Sequence, residues 1–206
     1  MLWFYLATWF LLLYLYILLL QLDIQNNILS SYENDFAKHT DTNEANKISL
    51  IWNGIPSQLA RENKKFVYQL VKEGARAREY ENALNWLNDA NLITKCYAVN
   101  KCDFPLKAYY DLSAYKIYMN DIGLLRRMAN LDSSIILEGN KLFEEFKGAF
   151  TENYVANVLN YIQEYAPNYY VFDRKILDFV IQKNNKIIPI EVKSNKSSNH
   201  NSLTKY

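Results

Sequence analysis

Cysteine, histidine and glycine are scarce in this chain, and each scarcity closes a class of chemistry. Cys96 and Cys102, the only two cysteines, match no zinc-ligand spacing and read as free thiols of a reducing compartment. The two histidines, His39 at an expected helix end and His200 in the C-terminal tail, argue against an imidazole-based zinc site. Glycines at positions 54, 74, 123, 139 and 148 are too scattered to cradle a phosphate, and no G-x-x-x-x-G-K-[ST] occurs. P-loop ATP hydrolysis is therefore excluded, and no ATP site is expected. Net charge is missing too. With a formal value of +1 and no run of five like charges, any affinity for nucleic acid has to come from local basic patches.

Apolar residues, by contrast, make up 50% of the 206 positions, enough for one large core or two small ones, of which two is the expectation. Residues Met1–Leu22, MLWFYLATWFLLLYLYILLLQL, carry no charge. As a helix they would span the ~30 Å hydrocarbon core of a bilayer. Against an anchor, no lysine or arginine precedes them, no small-residue cleavage site follows, and aromatic residues fill their middle instead of their ends. A cytoplasmic location is expected, with a membrane anchor through residues 1–22 as the alternative.

From Asp23 the composition turns polar. Asp23–His39 has apolar residues near helical spacing, and Thr40–Asn46 reads as a loop. Asn53-Gly54 suggests a break, followed by a short surface helix over Ile55–Phe66 that starts at Pro56. A longer helix is expected over Ala75–Ala90, with Tyr80, Leu84, Trp86 and Leu87 toward a core, and Asn91 as its stop. Leu92–Val99 and Leu106–Tyr118 alternate as strands around a turn containing Asp103 and Pro105. Helix, helix and β-hairpin in that order match a winged-helix module. Its candidate phosphate contacts are Arg61, Lys64, Lys65, Arg76 and Arg78, although basic residues on helix surfaces more often only keep the surface solvated.

Lys175–Ser194, KILDFVIQKNNKIIPIEVKS, reads as a β-hairpin with strands Ile176–Gln182 and Ile187–Val192 around an Asn184-Asn185 turn. A two-residue turn sets Lys183 opposite Lys186, and counting back puts Asp178 across from Glu191, with Lys193 on the same face. Two adjacent carboxylates repel unless a cation or a proton neutralises them. The pair is therefore a candidate Mg²⁺ site, although an acid-x-lysine at a strand end is also common on solvated sheet surfaces.

This arrangement, Asp followed by Glu-x-Lys on the next strand, resembles the active-site signature of the PD-(D/E)XK nuclease fold. The resemblance implies Asp178 and Glu191 as metal ligands, joined by the Val192 carbonyl, and Lys193 as the group that positions a water. It also implies a further acid from the preceding helix, a place filled by Glu152 in FKGAFTENYVANVLNYIQEY, where an exposed glutamate is the plainer expectation. A wider resemblance runs in order through SYENDFAKH, IWNGIPSQLARENKKFVYQLVKEGARAREYENALNWLNDANLI, LKAYYDLSAYKIYMNDIGLLRRM, FKGAFTENYV and IIPIEVKS. Together these are similar to the C-terminal half of a prokaryotic AAA-type ATP-binding protein family, in which a P-loop ATPase is followed by a domain of unknown function combining a winged helix with a nuclease-like unit.

Two departures temper what the resemblance implies. The family's glutamate two positions before the aspartate is replaced here by Ile176, and few residues follow Lys193. A truncated product is expected, with a three-stranded C-terminal sheet that leaves Ile190 and Val192 uncovered. The fold expected is α+β: a hydrophobic segment 1–22, a helical and winged-helix region 23–138, and an incomplete PD-(D/E)XK-like α-βββ unit 139–206. The function expected is DNA binding with a nuclease-like Mg²⁺ site that is inactive in this chain. The alternatives are a non-catalytic DNA-binding or interaction module and a membrane-anchored adaptor. DNA and a second copy of the chain are the partners to consider.

Overall fold

The computed structural model describes residues 2–61, 65–131, 144–162, 167–172 and 175–193. Lys64, His200 and the terminal NSLTKY lie outside them. Five helices are described, α1 (Leu2–His39), α2 (Thr42–Leu59), α3 (Ala77–Asp89), α4 (Ile122–Met128) and α5 (Glu144–Ile162). They accompany strands β1 (Ile93–Val99), β2 (Tyr110–Met119), β3 (Asn168–Phe172), β4 (Lys175–Lys183) and β5 (Lys186–Ile190). The fold is α+β, as the element pattern predicts.

Helix α2 corrects the expected loop over Thr40–Asn46 and the expected break at Asn53-Gly54. Asp41 caps it, its carboxylate accepting the N–H groups of Asn43 and Glu44 at 2.9 and 3.0 Å, so the polar stretch is a helix start. Gly54 has no positive φ, and a side chain there would meet nothing within 4 Å, so it marks no break. Pro56 lies inside the helix, where a proline costs about 3 kcal/mol. Ile48, Ile51, Trp52, Ile55 and Leu59, at helical spacing, are all buried. At roughly 1.5–3 kcal/mol for each large apolar side chain, their burial outweighs the proline.

The helix expected over Asp23–His39 is the C-terminal part of α1. It docks through edge-on contacts of Tyr32 and Phe36 with Trp52 and of Phe36 with Trp86. Arg126 and Arg127 of α4 donate to Gln25 and Asn26 at 3.0 and 2.7 Å. Further toward the N-terminus Leu13, Leu15, Tyr16, Ile17, Leu19 and Leu20 are exposed. Among the described residues no helix is long and apolar enough to cross a membrane.

The strands form one five-stranded sheet in the order β2-β1-β3-β4-β5, antiparallel except for the parallel β1–β3 pair. This replaces the three-stranded sheet expected at the C-terminal end, because β3 adds to the hairpin β1–β2. The sheet therefore crosses the division expected near residue 138, and so does the main apolar cluster, which takes in Trp52, Leu84, Tyr118, Leu159 and Phe179. Ile190 and Val192 pack against that cluster instead of standing uncovered. The β2 edge is closed by side chains and by a single bridge. Asn153 of α5 accepts from the Met119 N–H and donates to its carbonyl, both at 2.8 Å, and Lys65 bridges Lys116 while the Phe66 N–H bonds the Tyr115 carbonyl.

Candidate functional site

The hairpin β4–β5 has the register expected from its turn. Asn184 and Asn185 both adopt positive φ, 51° and 56°, the pattern of a two-residue turn matched to the twist of paired strands. Lys183 pairs with Lys186, and the ladder runs back to Phe179 opposite Ile190. The next rung would join Asp178 to Glu191, but β5 ends at Ile190. There the Asp178 carboxylate takes over from the backbone, its Oδ2 accepting the Val192 N–H at 2.8 Å. Glu191 is nearly withdrawn from solvent, its side chain 9% exposed, with Oε1 held by the more exposed Lys193 at 2.5 Å. Its Oε2 is buried and has no hydrogen-bond partner among the described residues.

Helix α5 delivers the third acid, and its setting differs from the exposed position expected. Glu152 is 3% exposed, and its Oε1 accepts from Lys116 Nζ at 3.0 Å and from the Tyr118 hydroxyl at 2.5 Å. Lys116 and Tyr118 are alternate residues of β2 and so point to one face, toward α5. Neither residue belongs to a motif that marks it as functional. An alternating Lys-x-Tyr on a strand is the available signal, but it does not say which helix lies above it.

Electrostatics tie the three acids together. Burial, assisted by the negative charge of Glu152 and Glu191, raises the Asp178 carboxyl to about 6, although Lys116 and the Val192 N–H pull the other way. Burial also pushes the Cys96 thiol up, so this cysteine, paired with Lys116 across the strands, is an inert core residue. Among the described residues no group of three or more His, Cys, Asp or Glu side chains is arranged to hold a metal ion. What the hairpin offers a cation is a pair of carboxylates, one with a buried oxygen lacking a partner. That donor set fits a hard divalent ion held by two side chains and otherwise by water.

The expected phosphate contacts are dispersed along the chain. Arg61 is exposed just after α2, and Lys65 is exposed at the bridge to β2. Arg76 and Arg78 open α3 beside exposed Glu79 and Glu81, with Arg78 Nε 3.9 Å from Glu79. The exposed side of α3 thus carries both signs of charge.

A family model described as a domain of unknown function (DUF8612) matches residues 18–135, more than half of the chain. The chain belongs to this family. In this DUF8612 protein the match takes in α2, α3, β1, β2 and α4, while a second domain of unknown function (DUF4143) matches residues 147–206, where Asp178, Glu191 and Lys193 lie. No curated protein and no solved structure matches the chain.

Proposed function

We propose that the C-terminal region is a reduced PD-(D/E)XK-like unit that holds a divalent cation weakly through Asp178 and Glu191 and does not cleave DNA. The chain would then serve as the DNA-contacting part of a system driven by an AAA-type ATPase. The observation that carries the metal reading is the carboxylate pair at the hairpin end, with Glu191 Oε2 buried and without a hydrogen-bond partner among the described residues. Mg²⁺ bound there would screen a phosphate and acidify a water, the chemistry such an ion supplies in hydrolysis. Two side-chain ligands leave most of its octahedral shell to water, which sets the affinity low. Glu152 adds little, because Lys116 and Tyr118 already hold its Oε1.

Titration calorimetry with Mg²⁺ and Mn²⁺ at pH 7.5 tests this. We expect dissociation constants on the order of millimolar, lost in both Asp178→Ala and Glu191→Ala, and no nicking of supercoiled plasmid. Equal affinity in wild type and Glu191→Ala would discard the site. Mg²⁺-dependent cutting that disappears in Asp178→Ala would make the protein an active nuclease.

A second reading, DNA binding by a winged-helix module over α2 to β2, draws support from the isolated Lys65–Lys116 bridge, which ties the segment between α2 and α3 to β2. On that reading Arg76→Ala and Arg78→Ala each weaken duplex binding and flatten its salt dependence.

A further inference from the structure

On the face of β1 that meets α3 lies a cavity of about 260 Å³, walled by Tyr97 and Tyr110, with Lys95, Lys107 and Asn88 in its lining. Nothing in the metal or winged-helix reading uses it. The two tyrosine rings stack on one another, centroids 5.6 Å apart and planes 21° from parallel, so the wall is an aromatic stack that a further ring can extend. Lys107, at the rim, is exposed and makes no ion pair among the described residues. Lys95 is more informative. It is 6% exposed, its ammonium donates to the Asn85 carboxamide and lies 5.2 Å from the Tyr115 ring centroid, and no carboxylate is within ion-pair distance among the described residues.

A buried ammonium held by neutral partners alone is short of countercharge. Burial lowers its pKa accordingly, and Glu81 and Asp89 offset this only at a distance. Asn88 spends its carboxamide oxygen on the Lys95 backbone N–H at 3.2 Å, and its NH₂ has no partner among the described residues. The cavity therefore combines two cations, a free amide donor and an aromatic wall. An anion with a planar ring satisfies all of them together, because the negative group supplies the missing countercharge and the ring stacks.

We propose that this cavity binds a phosphorylated nucleoside, its phosphate taken by Lys95 and Lys107 and its base laid against the Tyr97–Tyr110 wall. The unit could come as a free mononucleotide or as one nucleotide of a single strand, and the two are separable by experiment. The cavity shares no lining residue with the metal reading or with Arg76 and Arg78 of the winged-helix reading.

The test is titration of the full chain with thymidine monophosphate, thymidine, inorganic phosphate and a ten-nucleotide oligothymidylate. Saturable binding of the monophosphate is expected, at least tenfold tighter than thymidine or phosphate alone, with a tenfold or greater loss in Lys95→Met and in Lys107→Ala. Lys107 is exposed, so its variant decides the matter even if Lys95→Met fails to fold. Tighter binding of the oligonucleotide with a steep salt dependence would identify single strands as the source, and equal affinity per nucleotide a free nucleotide. Monophosphate affinity equal to that of thymidine, unchanged in Lys107→Ala, or absent up to millimolar concentration would overturn the proposal.

Discussion

Lys95 and Lys116 occupy neighbouring rungs of the same strand pair, and both are almost removed from water, 6% and 2% exposed. Cys96 faces Lys116 across the ladder, and Lys95 faces Ile117, so the two lysines point to opposite sides of the sheet. On one side α5 places Glu152 against Lys116 at 3.0 Å. On the other, α3 offers Lys95 the carboxamide of Asn85. One residue type, one sheet and similar burial thus give a compensated charge in one place and an uncompensated charge in the other. What separates them is the helix laid over each face. The compensated side behaves as structure, and the uncompensated side has the makings of a binding site.

The largest effect is expected on the compensated side. Lys116→Met takes from the buried Glu152 carboxylate the ammonium that pairs with its Oε1. Breaking such a pair costs about 3–5 kcal/mol, a large part of a small domain's stability. Urea unfolding at pH 7 should show that loss, and most of it should return in the double variant Lys116→Met/Glu152→Gln, in which neither charge remains. A double variant as unstable as the single one would mean that the pair contributes through packing and not through charge.

Lys116 also serves a second acid, and the next effect measures how far burial and the neighbouring carboxylates outweigh that ammonium at Asp178. The Asp178 carboxyl is raised to about 6 from an ordinary 3.8, so the native state holds this proton more tightly than the unfolded chain does. Its contribution to stability is complete below pH 3.8 and is lost as pH rises through about 6. The gap corresponds to on the order of 2–3 kcal/mol at neutral pH once the partial exposure of the group is allowed for. In chelator, Asp178→Asn should therefore be more stable than wild type by that amount at pH 7.5. The advantage should shrink toward nothing near pH 4. A difference that does not change with pH would show that the Asp178 carboxyl is not raised in the folded state.

Local chemistry was legible in the sequence where it is carried by neighbours along the chain. The Asn184-Asn185 turn fixes the hairpin register, from Lys183 opposite Lys186 back to Phe179 opposite Ile190, without help from the rest of the fold. Helix α2 is hidden from a local reading for the complementary reason. Gly54 and Pro56 are local helix breakers, and the burial of Ile48, Ile51, Trp52 and Ile55 that overrides them depends on α1, α3 and the sheet. The pairing of Lys116 with Glu152 and the isolation of Lys95 were out of reach altogether. Both depend on which helix covers which face of β1 and β2, and the parallel joining of β3 to β1 is a long-range event with no signal in either strand.

The smallest effect is expected at Lys95, and it is the one that would break the comparison. Removing an ammonium that no carboxylate balances among the described residues leaves no buried charge behind, so the loss is confined to the bond with Asn85 and the contact with the Tyr115 ring. Relief of the desolvation that lowers its pKa acts in the opposite direction. Lys95→Met, close in length and apolar, should therefore lie within about 1 kcal/mol of wild type in urea at pH 7. The sign of any pH dependence follows from the depressed pKa. The native state disfavours the charged amine, so wild type gains stability as pH rises through the folded pKa toward the ordinary 10.5, and Lys95→Met loses ground relative to it. A destabilisation of the size expected for Lys116→Met would mean that Lys95 has a countercharge in solution, and the cavity would then have no call on an anion. A small effect on stability together with a tenfold loss of nucleotide binding is the combination that a purely structural lysine cannot produce.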